Sequence, residues 1–261
     1  MLLEDKNAVV YGAGGSIGVA VARAFAREGA NVFLAGRTLA TLDRVAEEIS
    51  AAGGLAETAQ VDALDEEAVE KHIGKVSETA GRIDILFNAI GMQDVQGRPL
   101  HEMSLEDFSR PITIATRTQF LTARAVARHM IRQGSGVILT ITAGPARRAL
   151  PNVGGFDTAC AAIEGLWRTF AAELGSYGIR LVVVGSAGSP DTPDVQETLR
   201  LHAGATGKSF EEVLADSGSG TLLGRLPRVA EVASAATLMA SDRASAMTGV
   251  IANVTCGYIV D

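Results

Sequence analysis

The stretch Tyr11-Gly-Ala-Gly-Gly-Ser-Ile-Gly18 follows the apolar run Asn7–Val10 and precedes a segment of helical period. Glycines at such a junction let a backbone approach a pyrophosphate. The helix N-terminus behind them supplies N–H donors and the positive end of its dipole. Counted as Gly-x-Gly-x-x-Gly from Gly12, the last glycine falls on Ile17, so the common dinucleotide fingerprint fails by one position. A tight strand-to-helix turn without a ligand is the alternative reading. The next apolar run ends Leu34-Ala-Gly-Arg-Thr38. A carboxylate at that strand end would bind the 2′-hydroxyl of NAD, whereas a guanidinium matches a 2′-phosphate with paired hydrogen bonds. Gly36 takes the place of the acid, Arg37 follows it, and Thr38 adds a hydroxyl. The charge logic therefore predicts NADP(H) over NAD(H), against the alternative of a solvated Arg that opens a helix.

The elements that must position these residues are legible in the hydrophobic pattern. Short, nearly all-apolar runs ("NAVVYG", "NVFLAG", "IDILFNAIG", "GVILTITA", "IRLVVVGSAG", "GVIANVTCG") alternate with helical segments. "ETAQV" (57–61) reads as a further strand. Strands this apolar belong in a parallel sheet covered on both faces, and repeated βαβ units give a doubly wound, Rossmann-type α/β fold of about seven strands. "TLATLDRVAEEISAAG" should end at Gly53, and the helix after Asp65 carries acids in its first turn. The long segment 103–134 is helical, with Ser104 as N-cap and Pro111 as a break or kink. One domain, 1–261, is expected. Within it residues 189–228, rich in Ser, Gly, Thr and Pro, read as two short helices on a mobile insertion, a natural lid over a ligand or else a surface elaboration.

Composition narrows the function classes. The chain has 261 residues, 47% of them apolar, enough for a sizeable core, and no apolar run approaches the roughly 18–20 residues that cross a bilayer. The first residues show no secretory signal. Two cysteines, Cys160 and Cys256, are too few for a disulfide framework and too far apart for a metal motif, so a reduced, cytoplasmic setting is expected. A net charge of −7 without a basic block argues against nucleic acid or an anionic membrane as partner.

Gly12-x-x-x-Ser16-Ile17-Gly18 resembles the glycine loop of the short-chain dehydrogenase/reductase family, T-G-x-x-x-G-I-G, with Tyr11 for the Thr and Ser16 for the middle Gly. Further motifs fall in order. Asp62 and Ala63 resemble the family's adenine-contacting segment. Phe87-Asn-Ala-Ile-Gly91 resembles its N-N-A-G, with Asn88 kept and Ala89 for the second Asn. Residues 241–249 and Val254-Thr-Cys-Gly257 resemble its last segments. The resemblance implies a nicotinamide cofactor held by Gly12, Gly15, Ser16, Ile17, Gly18, Arg37, Thr38, Asp62, Ala63, Asn88, Ala89, Gly91 and Gly188. It also implies a homodimer or homotetramer formed through the two long helices. "VVVGSAG" is one residue longer than the family norm.

The same resemblance implies four catalytic positions: Asn, Ser, and Tyr-x-x-x-Lys. The Tyr protonates a carbonyl oxygen, and the ammonium lowers its pKa from ~10 toward neutrality. Those positions fall on Ala115, Ala143, Phe156 and Cys160, and no Tyr-x-x-x-Lys exists in the chain. The related enoyl-acyl-carrier-protein reductases would need Lys at Cys160 and Tyr near Val153, and also fail. Tyr11 lies under the phosphate loop, Tyr177 at the far end of its helix, and Tyr258 near the C-terminus. Substitute groups are Thr142, which alternation points away from Ala143, and Cys160, ordinarily a small buried apolar residue. Asp157 should point about 100° away around the helix. Arg147 and Arg148 could bind an anion or be solvated. His101 and His202 flank the expected cleft, while Met92, Gln93 and Asp94 should line its substrate side. Two functions follow: an oxidoreductase with an atypical site, acting on a small molecule that needs little acid (an enone or iminium), or an inactive NADP(H)-binding module that senses redox state or serves a partner subunit. Lyase or isomerase chemistry in the vacated pocket is a third.

Overall fold

A computed structural model describes residues 1–148 and 150–260. The chain alternates β1 (Asn7–Tyr11), α1 (Ser16–Arg27), β2 (Asn31–Gly36), α2 (Leu39–Ala51), β3 (Leu55–Gln60), α3 (Glu66–Ala80), β4 (Ile85–Asn88), α4 (Leu105–Gln133), β5 (Gly136–Ala143), α5 (Gly155–Leu174) and β6 (Ile179–Ser186). It continues through α6 (Pro193–Thr206), α7 (Phe210–Ser219), α8 (Val229–Ala240) and β7 (Val250–Val254). The seven strands form one parallel sheet in the order β3-β2-β1-β4-β5-β6-β7.

Side-chain alternation divides the core into two layers. Val10, Leu34, Leu139 and Val184 pack with α1, α2 and α8 on one face. Val9, Leu86, Ile138 and Val183 pack with α3, α4 and α5 on the other. Because β1 pairs with both β2 and β4, the order reverses there, and a crevice opens at the carboxyl ends of these strands.

Three expectations change. Strand β3 begins at Leu55 and ends at Gln60, not 57–61; it is the edge strand, half solvated, and its mixed composition blurs the pattern. Pro111 neither breaks nor ends α4, a continuous 29-residue helix capped by the Ser104 hydroxyl, which accepts from the Asp107 N–H at 3.1 Å. The ring is buried against α5 beside Gly155, and that packing offsets the one hydrogen bond a proline removes. Helix α8 is additional. It covers the α1 side with Val232, Ala233, Ala236 and Met239.

Beneath the phosphate loop the Tyr11 hydroxyl meets Nδ1 of His72 at 2.8 Å, both side chains buried. Burial, and then the nearby Lys75, lower the imidazole to about 4. Its pKa unfolded is ~6.5, so between pH 6.5 and 4 the unfolded chain binds a proton that the native state refuses. Stability from this neutral His is full above that window and is lost as pH falls through it, by about 3 kcal/mol. Urea unfolding at pH 7 and pH 4.5 should show this loss, and His72→Leu should flatten it. Parallel losses in both proteins would contradict the assignment.

Candidate cofactor and active site

The crevice holds a cavity of about 310 Å³. Gly12, Gly14 and Gly15 form its floor, Arg37 and Thr38 one rim, Asp62 and Ala63 another, and Ala89, Gly91 and Gln93 the wall toward β5. At Gly12 the backbone of this floor tolerates no side chain. Gly12 has φ +72°, and a Cβ there would stand 2.6 Å from the Ala89 carbonyl carbon and 2.8 Å from the Ile90 nitrogen. Gly18, in the first turn of α1, packs so closely that a Cβ would lie 2.8 Å from the Gly12 carbonyl carbon. Gly15 caps α1 without a side-chain hydrogen bond. The first N–H groups of α1, from Ser16 onward, thus face the crevice end without intrahelical partners.

Other assigned residues sit around the cavity rather than on its wall. The Ser16 hydroxyl donates to Oδ2 of Asp194 at 3.1 Å and so ties the phosphate loop to the first turn of α6. Ile17 packs against the core. Asn88 is fully buried; its Nδ2 donates to the Thr122 hydroxyl at 2.9 Å, and its Oδ1 accepts from the Ile90 N–H at 3.1 Å, shaping the turn that carries Ala89 and Gly91. Asp62 Oδ1 accepts from the Leu64 N–H at 3.0 Å. Gly188, at φ +86°, makes the turn after β6. Arg37, exposed at the rim, has no carboxylate partner among the described residues.

The four positions that the resemblance marks as catalytic are partly brought together. The Cys160 sulfur lies against the backbone N–H of Ala143, the last residue of β5. Phe156 is one helical turn earlier on α5 and half-buried, and Ala115 is buried between α4 and the sheet. Burial pushes the Cys160 thiol up to about 12, so it stays a neutral thiol at physiological pH. Thr142 faces α5, opposite to Ala143, and its hydroxyl donates to the buried Glu164 at 3.3 Å. Asp157 is half-buried; one carboxyl oxygen has no partner, and burial raises its pKa. His101 is exposed beside Glu102. His202 on α6 hydrogen-bonds Gln96 at 2.9 Å, and Gln96 donates to Asp94 at 2.7 Å, so the insertion rests on the loop after β4. Met92 in that loop packs toward the α3–α5 layer.

Two groups were not singled out by the sequence reasoning. Ser186 pairs in register with Ala143 at the strand ends. Its hydroxyl and that of Ser189 are both buried with no hydrogen-bond partner. Buried hydroxyls without partners are what a polar ligand group would satisfy. The signal was present in the Gly-Ser-Ala-Gly-Ser run, but that loop's extra residue concealed its path. Tyr258, placed near the C-terminus by the sequence, folds back onto Gly144.

A doubly wound parallel sheet with a glycine cradle at its switch point defines a dinucleotide-binding protein. The sequence profile described as enoyl-(acyl carrier protein) reductase matches residues 12–259. The chain belongs to the short-chain dehydrogenase/reductase family, oxidoreductases that bind a nicotinamide dinucleotide. It is 31% identical over 258 residues to gluconate 5-dehydrogenase of Gluconobacter oxydans, covering 99% of this chain and 96% of that one. It is 32% identical over 254 residues to cis-4-hydroxycyclohexanecarboxylate dehydrogenase of Sinomonas cyclohexanicum, covering 97% and 96%. The structure of an NAD+-bound xylitol dehydrogenase superposes with TM-score 0.94 at 27% identity, covering 98% of this chain and all of that one. Among the described residues no helix is long and apolar enough to cross a membrane.

Proposed function

We propose that this chain is an NADP(H)-dependent oxidoreductase that exchanges a hydride with a small molecule without the Asn-Ser-Tyr-Lys set at Ala115, Ala143, Phe156 and Cys160. The observation that carries the reading is the cradle itself. Gly12, Gly15 and the α1 N-terminus suit a diphosphate, while Gly36, Arg37 and Thr38 put a guanidinium and a hydroxyl, with no carboxylate, where a 2′-phosphate would lie. Asp62 and Ala63 flank the adenine side, and the orphaned Ser186 and Ser189 hydroxyls suit a polar group at the reacting end. When bound, a reduced nicotinamide supplies two electrons as hydride. The protein's part is to hold the acceptor in line and exclude water, with 189–228 as a lid tethered through Ser16–Asp194 and His202–Gln96. The names of the relatives point to hydroxylated small molecules as the substrate class. The working form in this reading is a cytoplasmic homodimer or homotetramer built on α4 and α5.

The buried thiol and the half-buried phenyl ring at the expected acid positions favour a second reading, a cofactor-loaded module without turnover. Incubation with NADPH and a panel of ketones, enones and imines, followed by absorbance, separates the two. Oxidation of NADPH by at least one class is expected. Saturable NADPH binding with no oxidation across the panel would establish the module instead.

A further inference from the structure

We infer that Asp194 is an anionic placeholder at the diphosphate seat, so that cofactor loading releases the N-terminal end of α6; the inference rests on the proposed oxidoreductase reading. The N-caps of α1 and α6 are Gly15 and Thr192, and neither makes a side-chain capping hydrogen bond. The first turn of α1 holds no acid, whereas Asp194 lies in the first turn of α6. Its Oδ2 accepts from the Ser16 hydroxyl at 3.1 Å. Ser16 is the first residue of α1 and follows Gly15 of the cavity floor. One carboxylate therefore joins the N-terminal ends of two helices. Unpaired N–H groups and the positive end of each dipole favour an anion at such ends.

The backbone that carries Asp194 is tied down on both sides. The Thr192 hydroxyl donates to the Ser189 carbonyl at 2.8 Å, and Gln196 Nε2 donates to the Pro190 carbonyl at 3.0 Å. The Asp191 carboxylate accepts from the Val229 N–H at 3.1 Å. Val195 lies 3.5 Å from the place a Cβ on Gly188 would take. Asp194 is thus held beside the phosphate loop, yet its side chain is exposed and has no cationic partner among the described residues.

The cradle has no cation at its floor to offset this charge. Arg37 and Asp62 are the charged residues on the cavity wall, and both stand on the rims rather than at Gly12 and Gly15. Recognition of a diphosphate at the floor therefore falls to backbone N–H groups and the α1 dipole, which the Asp194 carboxylate already faces. Like charges a few ångströms apart repel strongly, so an arriving diphosphate and ionised Asp194 compete for the same helix end. The carboxylate must swing off Ser16. That movement frees the hydroxyl for a phosphate oxygen and unties α6 from the phosphate loop. The His202–Gln96 hydrogen bond holds the other end of the same helix, so the release is confined to its N-terminal end.

Asp194→Asn keeps the shape and removes the charge, and calorimetric titration of the full chain reads the effect. The variant should bind NADPH about tenfold more tightly than the parent at low salt. NADH should gain by the same factor, because it carries the same diphosphate. Adenosine 2′-monophosphate, which has none, should bind both proteins alike. In sodium chloride at about 0.5 M, where the screening length falls to about 4 Å, the gain should shrink to about twofold or less. A variant that binds neither nucleotide more tightly, or one that gains as much for adenosine 2′-monophosphate, overturns the placeholder and leaves the proposed function standing. Failure of both nucleotides to bind either protein removes both.

Discussion

Gly18→Ala is expected to abolish NADPH binding and to destabilise the fold by about 3 kcal/mol, the reverse of the usual effect. In an exposed helix interior the same change gains about 1 kcal/mol. Here the new methyl would meet the Gly12 carbonyl carbon at 2.8 Å and Ala13 Cα at 2.9 Å. Both are backbone atoms and cannot swing aside, so α1 must lift off the loop or the turn at Gly12 must open. Either movement breaks the alignment between the turn and the helix N-terminus on which anion binding depends. Gly15→Ala is the control. Its methyl nearest meets the Gly12 carbonyl oxygen at 3.5 Å, an ordinary contact, and the fold should lose about 1 kcal/mol or less. Urea unfolding and calorimetric NADPH titration of the two variants check this. A Gly18→Ala protein with parental stability and affinity would mean that helix and loop are not locked together.

Arg37→Ala carries the second large effect. The rim beyond Gly36 offers no carboxylate for a ribose hydroxyl, and Arg37 is exposed there with its backbone carbonyl already accepting from Gln60 Nε2 at 2.9 Å. Its guanidinium is thus available while its backbone is anchored. A hydrogen bond to a charged group is worth about 1.5–3 kcal/mol, so the variant should bind NADPH about 10- to 100-fold more weakly. Affinity for NADH, which has no 2′-phosphate, should hardly change. If both affinities fell together, Arg37 would be supporting the pocket rather than reading the phosphate.

The parallel sheet was legible because its central strands are buried on both faces. The run Gly-Val-Ile-Leu-Thr-Ile-Thr-Ala predicts β5 at the residues where it lies, Gly136–Ala143. The edge strand β3, with one side in water, lacked that signal and shifted by two residues at its start. Pro111 misled because a proline's local cost is visible in sequence while the packing that offsets it is not. At the site, the resemblance led to Ala143 and Cys160, which the fold does bring into contact. The orphaned hydroxyls of Ser186 and Ser189 could not be found that way. Their place depends on the path of the loop after β6, where Gly188 turns the chain at φ +86°.

Calorimetric titration of the unmodified chain with NADPH and, separately, NADH puts the whole account to a single measurement. Saturable binding of one NADPH per chain, at least about tenfold tighter than NADH, is the predicted result. Heat from neither nucleotide, or tighter binding of NADH, would contradict it.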